Sequence, residues 1–148
     1  MAFYDHIYIY SDGGSKGNPG PGSIGVVIYD GKNTLLYEFS ACIGHCTNNQ
    51  AEYRALIKGL DLCAKYTRKR ITAHCDSELI IKQMNGLYRL KNDKLRILFQ
   101  DVKDRERVFE TVVYQHVGRS SNQRIKRADE LLNQAHAGRP SDKCIIEP

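Results

Sequence analysis

A strand that runs into a glycine-rich turn constrains the fold of this chain most strongly. Residues 7–10 read Ile-Tyr-Ile-Tyr, a pattern of high β-propensity with a two-residue period. Asp12 follows, and five glycines and two prolines occupy residues 13–22. Glycine allows positive φ and the close approach of another molecule. The pattern predicts a carboxylate at the end of a rigid strand, although a motif of this kind on its own is usually a plain hairpin turn.

Length and composition favour one globular domain. A chain of 148 residues can bury a hydrophobic core without disulfide bonds or structural metal ions. Its 26% charged and 41% hydrophobic residues argue against a disordered or a fibrous protein. We expect one domain over 1–148, with a core over about 5–137 and a tail over 138–148. No apolar run reaches the ~18 residues of a membrane span, and no export pattern opens the chain, so we expect a cytoplasmic protein with no membrane partner. The net charge of +5 favours a polyanionic partner.

The five cysteines do not form a paired metal-binding layout. A zinc site made of Cys42, His45 and Cys46 lacks a fourth ligand and the usual spacing. Buried reduced thiols are the favoured interpretation. Cys144 lies in the tail, where a disulfide is a second option whose connectivity the sequence leaves open.

Two more strands and a helix follow the first turn. The pattern predicts strands over 23–29 and about 35–41, which are antiparallel because short turns join them. Thr47 and Gln50 have the spacing of a capping box that opens a helix. Glu52 is therefore expected in the first turn of that helix.

The second half of the chain begins with a strand over 71–75. A strand, helix, strand crossover of this length implies parallel pairing with the first strand. Asp76 follows the strand, and Ser77 has the position of a helix cap ahead of a short helix that Asn85 and Gly86 end. The remaining predicted elements are a helix over 92–105, a strand over 108–116, a polar basic loop over 118–127 and a helix that begins at Ala128.

Four acids recur at the ends of these elements: Asp12, Glu52, Asp76 and Asp129. Since parallel strands end at one edge of a sheet, the acids are expected to converge there. Carboxylates that converge without basic partners raise one another's pKa unless divalent cations neutralise them. Oxygen ligands favour magnesium or manganese over zinc. The alternative, that each acid only complements a helix dipole for ~0.3–1 kcal/mol, explains one acid better than four.

Four segments, in order, resemble the type 1 ribonucleases H. They are SDGGSKGNPGPG over 11–22, TNNQAEYRAL over 47–56, CDSELIIKQMNG over 75–86 and RADELLNQA over 127–135. The resemblance implies an α/β fold with a five-stranded mixed sheet of order 3-2-1-4-5, its first three strands antiparallel and flanked by helices. It also implies endonucleolytic cleavage of the RNA strand of an RNA/DNA hybrid, with 5′-phosphate and 3′-hydroxyl products.

The resemblance assigns a role to each acid. Asp12, Glu52, Asp76 and Asp129 look like the family's metal-binding and catalytic residues, which hold two Mg²⁺ ions ~4 Å apart. Mn²⁺ is expected to substitute for Mg²⁺. One ion activates the attacking water and the other stabilises the leaving 3′ oxygen.

Substrate contacts also follow from the resemblance. The 2′-hydroxyl distinguishes RNA from DNA, although Asn49 and Gln50 are equally well explained as capping and turn residues. The residues matching the family's contacts to the RNA 2′-hydroxyls are Gly13, Gly14, Asn48, Asn49 and Gln50. The candidates for a phosphate of the DNA strand are Thr47, Asn18 and Ser77.

Two features depart from the commoner family pattern. The segment between Asp76 and His116 is too short for a basic protrusion, so hybrid binding is expected to be weaker and more sensitive to salt. In place of the family's mobile-loop histidine, Arg119 fits a shorter branch, and His116 is the competing candidate. The residues left to grip the substrate on that side are Lys91, Lys94 and Arg96.

These observations predict a magnesium-dependent ribonuclease H, which is expected to be monomeric. Two other functions stay open. A related nuclease or strand-transfer enzyme that acts on DNA would have the same four acids. A silent module, which binds the hybrid without cleaving it, would have the same substrate-binding surface. The complete set of four acids argues against the silent module.

Overall fold

A computed structural model describes residues 4–148 as one mixed sheet with helices on both faces. A 3₁₀ turn over Arg119–Ser121 is the other regular element of this part of the chain. The strands are β1 (His6–Ser15), β2 (Gly20–Asp30), β3 (Leu35–Cys46), β4 (Arg70–Cys75), β5 (Thr111–His116) and β6 (Ser141–Cys144). The helices are α1 (Asn48–Cys63), α2 (Glu78–Met84), α3 (Asp93–Glu106) and α4 (Gln123–His136).

The sheet has the order β5-β4-β1-β2-β3-β6. The first three strands are antiparallel neighbours, and β4 lies parallel to both β1 and β5. The predicted α/β fold and the order 3-2-1-4-5 are therefore confirmed, with β6 as an additional edge strand.

Alternate side chains of the central strands pack into two hydrophobic cores on opposite faces of the sheet. Ile7 and Ile9 of β1 belong to the large core that includes Leu56 and Leu60 of α1. Tyr10 points to the other face, where it clusters with Ile125 of α4. The two-residue period of a strand thus places α1 and α4 on opposite faces of the sheet.

Side-chain caps define where the helices begin. The predicted capping box of α1 is present, with Thr47 accepting from the Gln50 N–H. Helix α4 begins at Gln123 rather than Ala128, because the Asn122 side chain accepts from the backbone N–H groups of residues 124 and 125. Asp129 consequently lies in the second turn of α4. Glu52 is the fifth residue of α1, so its predicted first-turn position was also one turn too early.

Asp12 lies inside β1, not at its end. The parallel pairing with β4 stops at Tyr10, whereas the antiparallel pairing with β2 continues through Asp12 to Ser15. The expected turn therefore begins later, and the glycines at 13 and 14 belong to the strand. Because β4 ends first, Asp12 is still level with the edge that Asp76 follows.

The C-terminal tail is an ordered edge strand. Residues 141–144 pair with residues 37–40 of β3, and the Tyr66 hydroxyl donates to the Ile146 carbonyl at 2.6 Å. A hydrogen bond from Tyr37 to Asp142 fixes the same segment and raises the pKa of Tyr37 to about 12. The polar sequence of β6 gives no strand pattern, and its conformation is imposed by the unpaired edge of β3.

Removing residues 141–148 is expected to lower the free energy of unfolding by roughly 2–4 kcal/mol, the range of large destabilisations. The deletion exposes the edge of β3 and the buried Leu36, whose carbonyl accepts from the N–H groups of residues 145 and 146. Urea unfolding measures the change. Deleting only the exposed residues 147 and 148 is the matched control, and equal midpoints for both deletions would contradict the prediction.

All five cysteines are free thiols, so no disulfide holds Cys144. Cys42 is exposed, whereas Cys46, Cys63 and Cys75 are buried as expected. Among the described residues, the grouped metal-binding side chains are acids, and the zinc site considered for residues 42–46 does not form. None of the helices within residues 4–148 is long and apolar enough to cross a membrane.

Candidate active site

Three carboxylates from three elements converge beside the central strands. Asp12 comes from β1, Glu52 from α1 and Asp76 from the end of β4, and one oxygen of each lies within 4.8 Å of the others. Asp12 is 2% exposed and Glu52 is 8% exposed. The predicted convergence of these three acids therefore occurs, in a largely dehydrated position.

The position of Glu52 depends on Gly13. The Gly13 N–H donates to Glu52 Oε1 at 2.7 Å. A Cβ at residue 13 would lie 2.3 Å from the carbonyl carbon of Ala51, so only glycine lets α1 pack this closely against β1. The N–H of Gly13, proposed from the sequence as part of a substrate contact, is thus already bonded within the protein.

Burial dominates the electrostatics of the cluster. Burial, and then the charge of Asp76, raise the pKa of Asp12 from an ordinary value of 3.8 to about 7, against the opposing effects of a hydrogen bond with Glu52 and the charge of Arg119. Burial also raises the pKa of Glu52, and the neighbouring Asp12 adds to the effect. The protein thus holds two carboxyl groups where their charged forms are disfavoured without a cation.

Arg119 links the cluster to the fourth acid. Its guanidinium lies 2.7 Å from Asp76 Oδ2, 3.3 Å from Asp12 Oδ2 and 3.7 Å from Asp129 Oδ1. Arg119, which the sequence predicted for the mobile-loop position, is thus the basic side chain that accompanies the acids. His116 faces elsewhere, because its Nε2 lies 3.2 Å from the backbone carbonyl of Asp76. Of the two candidates, Arg119 is the side chain that reaches the carboxylates.

The donor atoms suit a hard divalent cation. Glu52 Oε2 is buried and has no hydrogen-bond partner among residues 4–148, a costly arrangement unless a ligand completes it. All the grouped donors are carboxylate oxygens, which Mg²⁺ and Mn²⁺ prefer and which give zinc no advantage. The residues present therefore fit the cations expected from the sequence.

In metal-free buffer, the stability contributed by Asp12 is expected to fall as pH rises. Its folded pKa lies above the unfolded value, so the contribution is complete below about pH 4 and is lost as pH rises through about 7. Thermal unfolding of the wild type and of Asp12→Asn in EDTA isolates this effect. The two melting temperatures should be nearest at pH 5, with the variant the more stable at pH 8; a constant difference would contradict the prediction.

Several predicted substrate residues line one cavity of about 770 Å³. It extends from the N-terminus of α1 to the start of α3, where Asn92 and Lys94 form its far wall. In the sequence, Asn92 has only the pattern of a residue at a helix start, which gives no signal of a cavity wall. The predicted substrate residues in this cavity are Asn18, Thr47, Asn49 and Gln50.

Internal hydrogen bonds already hold some of these groups. Gln50 Oε1 accepts from the Thr47 N–H at 2.9 Å, and Asn48 Oδ1 accepts from the Ser15 N–H at 2.8 Å. Asn18 Oδ1 accepts from the Asn48 N–H at 3.0 Å. These bonds orient the side chains and leave their amide N–H₂ groups as donors. Ser77 lies outside this cavity and caps α2.

A second cavity of about 380 Å³ adjoins the acids on the α4 side. Asp12, Asp129 and Arg119 lie in its wall together with Lys16 and His136. Sequence reasoning missed the last two residues. The sequence signal for His136 is its position seven residues after Asp129, because residues i and i+7 lie on the same face of a helix.

Comparison with known proteins identifies the family. A family model described as reverse transcriptase-like matches residues 10–135. A ribonuclease H of Thiobacillus denitrificans is 32% identical over 144 residues, covering 88% of this chain and 93% of the relative. The chain belongs to the ribonuclease H family. The RNase H1 structure from Halobacterium salinarum has a TM-score of 0.85 and 34% identity, covering 90% of this chain and 98% of that one.

Two further relatives differ in how much of their own length this chain spans. The structure of LC11-RNase H1 in complex with an RNA/DNA hybrid has a TM-score of 0.81 and 43% identity, covering 89% of this chain and 97% of that one. A bifunctional protein of Mycobacterium tuberculosis is 38% identical over 130 residues, which are 87% of this chain. The chain spans only 35% of the length of that relative.

Proposed function

We propose that this protein is an endonuclease that hydrolyses the RNA strand of RNA/DNA hybrids with divalent cations. The observation that carries the proposal is the cluster of Asp12, Glu52 and Asp76, whose oxygens lie within 4.8 Å of one another. Family membership and the hybrid complex of LC11-RNase H1 support the choice of substrate.

Asp12, Glu52, Asp76 and Asp129 are the proposed ligands of two Mg²⁺ ions, for which Mn²⁺ can substitute. When bound, such ions supply activation of the attacking water and charge stabilisation at the leaving 3′ oxygen. The products are then a 5′-phosphate and a 3′-hydroxyl. Burial of Asp12 and Glu52 excludes water around their oxygens, which strengthens their attraction for cations.

Arg119 is the proposed contact to the phosphate undergoing cleavage. Its side chain is 54% exposed and already reaches three of the acids. A guanidinium forms paired hydrogen bonds with phosphate oxygens, so Arg119 can orient the phosphate without exchanging a proton. This role differs from that of a histidine, which can exchange one.

Selection of RNA over DNA is assigned to the backbone and amides beside the acids. Gly13, Gly14 and Asn48 lie near the buried carboxylates, and Asn49 and Gln50 face the 770 Å³ cavity. The 2′-hydroxyl both donates and accepts hydrogen bonds, so carbonyls and amides can both contact it. In the same cavity Asn18 and Thr47 are proposed to contact a DNA-strand phosphate, with Ser77 as the third proposed contact.

Cleavage of end-labelled duplexes of one sequence tests the proposal. The RNA strand of the hybrid should be cut at internal positions with Mg²⁺, and EDTA should prevent it. Duplex DNA and duplex RNA are the comparison substrates. Preferential cutting of duplex DNA would identify a DNA-directed nuclease instead. Binding of the hybrid without turnover in either Mg²⁺ or Mn²⁺ would identify a silent binding module.

A further inference from the structure

The 380 Å³ cavity beside the acids contains basic and amide groups that the proposed reaction does not use. Lys16 follows β1, and Asn133 and His136 come from the last turns of α4. The same cavity contains Asp12 and Asp129. These groups and the two acids therefore line one continuous cavity.

A hydrogen bond to a buried residue of β2 fixes the orientation of the His136 ring. Its Nδ1 lies 3.0 Å from the hydroxyl of Ser23, a residue that is fully buried in β2. That hydroxyl is also 3.6 Å from Cys42 Sγ, whose S–H donates to the Ala135 carbonyl at 3.1 Å. We assign the Ser23 proton to Nδ1 rather than to Cys42 Sγ, because an imidazole nitrogen accepts more strongly than sulfur.

This bond determines which nitrogen of His136 is a donor. Burial, and then the charge of Lys16, lower the pKa of His136, which favours the neutral ring. A neutral ring that accepts at Nδ1 carries its proton on Nε2. Among residues 4–148, Nε2 has no hydrogen-bond partner. His136 therefore presents an N–H donor that its own chain leaves unused.

Lys16 supplies a positive charge at the same cavity. No carboxylate of residues 4–148 forms an ion pair with it, in contrast to Arg119. Its loop is anchored, since the Lys16 N–H donates to the Pro21 carbonyl at 2.9 Å and the Ser15 hydroxyl donates to the Gly17 carbonyl at 2.5 Å. The ammonium thus projects from a fixed backbone.

The α4 residues form a stripe that leads away from the acids. Asp129, Asn133 and His136 share one helix face, and Asn133 Nδ2 lies 3.4 Å from Asp129 Oδ2. Seven residues of helix rise ~10 Å, the axial length of about three nucleotides of one strand. The stripe therefore has the length to follow a strand from the cleaved bond to a neighbouring phosphate.

We propose that Lys16, Asn133 and His136 form a subsite for a phosphodiester of the RNA strand, within about three nucleotides of the cleaved bond. The inference rests on the proposed function, which puts the RNA strand at the acids. An ammonium, an amide N–H₂ and an imidazole N–H are all donors, which suits phosphate oxygens. The subsite offers a grip on a chain that lacks a basic protrusion.

Hybrid cleavage and hybrid binding by Lys16→Ala, His136→Ala and the double variant test the subsite. Lys16→Ala is expected to raise KM about 3- to 5-fold, the effect of an exposed charged contact. His136→Ala is expected to raise KM by a similar factor through the loss of one hydrogen bond, and kcat should be nearly unchanged in both. In EDTA, fluorescence anisotropy should show the slope of log K against log salt reduced by about 0.7–0.9 for Lys16→Ala. His136→Gln keeps an N–H donor and should lie nearer the wild type than His136→Ala.

Lys32→Ala is the matched control. Gly22 pairs with Ser15, the residue before Lys16. Lys32 lies in the turn at the other end of β2, about 25 Å from Gly22 along the strand. Its replacement should therefore change neither KM nor the salt slope. A double variant with wild-type KM and salt slope would overturn the subsite while leaving the hydrolase proposal standing. A wild type that binds hybrid without cutting it, and whose salt slope falls by about 0.7–0.9 with Lys16→Ala, would support the subsite and overturn the hydrolase proposal. If His136→Ala unfolds, Lys16→Ala and His136→Gln still decide.

Discussion

Asp12→Asn is expected to abolish cleavage of an RNA/DNA hybrid while leaving the fold intact. The carboxylate lies at the centre of the cluster, 2% exposed, where its charge is needed to hold cations. Asparagine keeps the volume and removes the charge. We expect a loss in kcat on the order of 10³-fold or more, since removing a single charge-stabilising donor from an active site already costs ~10²–10³. Steady-state cleavage of the labelled hybrid in Mg²⁺ measures the loss.

The controls separate chemistry from folding. Asp104→Asn removes a carboxylate from the exposed end of α3 and should leave cleavage unchanged. Adding Mg²⁺ should raise the melting temperature of the wild type, because a ligand that binds only the folded state stabilises it. Asp12→Asn should lose that increase. Substantial Mg²⁺-dependent cleavage by Asp12→Asn, or by the equivalent Glu52→Gln, would refute the assignment of the site.

Gly13→Ala is expected to destabilise the protein by about 3 kcal/mol, the upper part of the usual range for overpacking, and to reduce cleavage strongly. The added Cβ would meet the backbone carbonyl of Ala51 at 2.3 Å and the backbone nitrogen of Glu52 at 2.5 Å. Backbone atoms cannot rotate aside, so α1 must shift and carry Glu52 away from Asp12. Urea unfolding and hybrid cleavage measure the two effects.

Gly14→Ala is the matched control for stability. Its Cβ would meet only the side chains of Leu132 at 3.8 Å and Asn48 at 3.9 Å, which are ordinary contacts. The neighbouring positions in β1 thus differ in what packs against them rather than in strand geometry. If the two alanine variants had equal unfolding midpoints, the close approach of α1 would not be the reason for the glycine.

The residue pattern was sufficient to predict most of the fold. Strict alternation in β1 predicted a strand with two different faces, and the capping box at Thr47 predicted where α1 begins. Such signals are local, because a strand period or a cap involves residues within a few positions. The errors at α4 and β6 have different causes. The cap at Asn122 was overlooked within a basic loop, and β6 is a strand only because β3 offers it an edge.

By itself, the sequence determined the mixed sheet and predicted that four acids converge at one of its edges, since parallel strands end at a common edge. Three of the four group closely in the structure. Only the tertiary structure decided that Asp12 lies inside β1, that Arg119 reaches three of the acids, and that His136 faces the same cavity as Asp12. These positions depend on contacts between separate elements of the fold, such as β2 with β1, Arg119 with Asp12 and Ser23 with His136, which no local pattern records. The strand and turn at residues 7–22 thus identify the site, and the packing of α1 and α4 against β1 completes it.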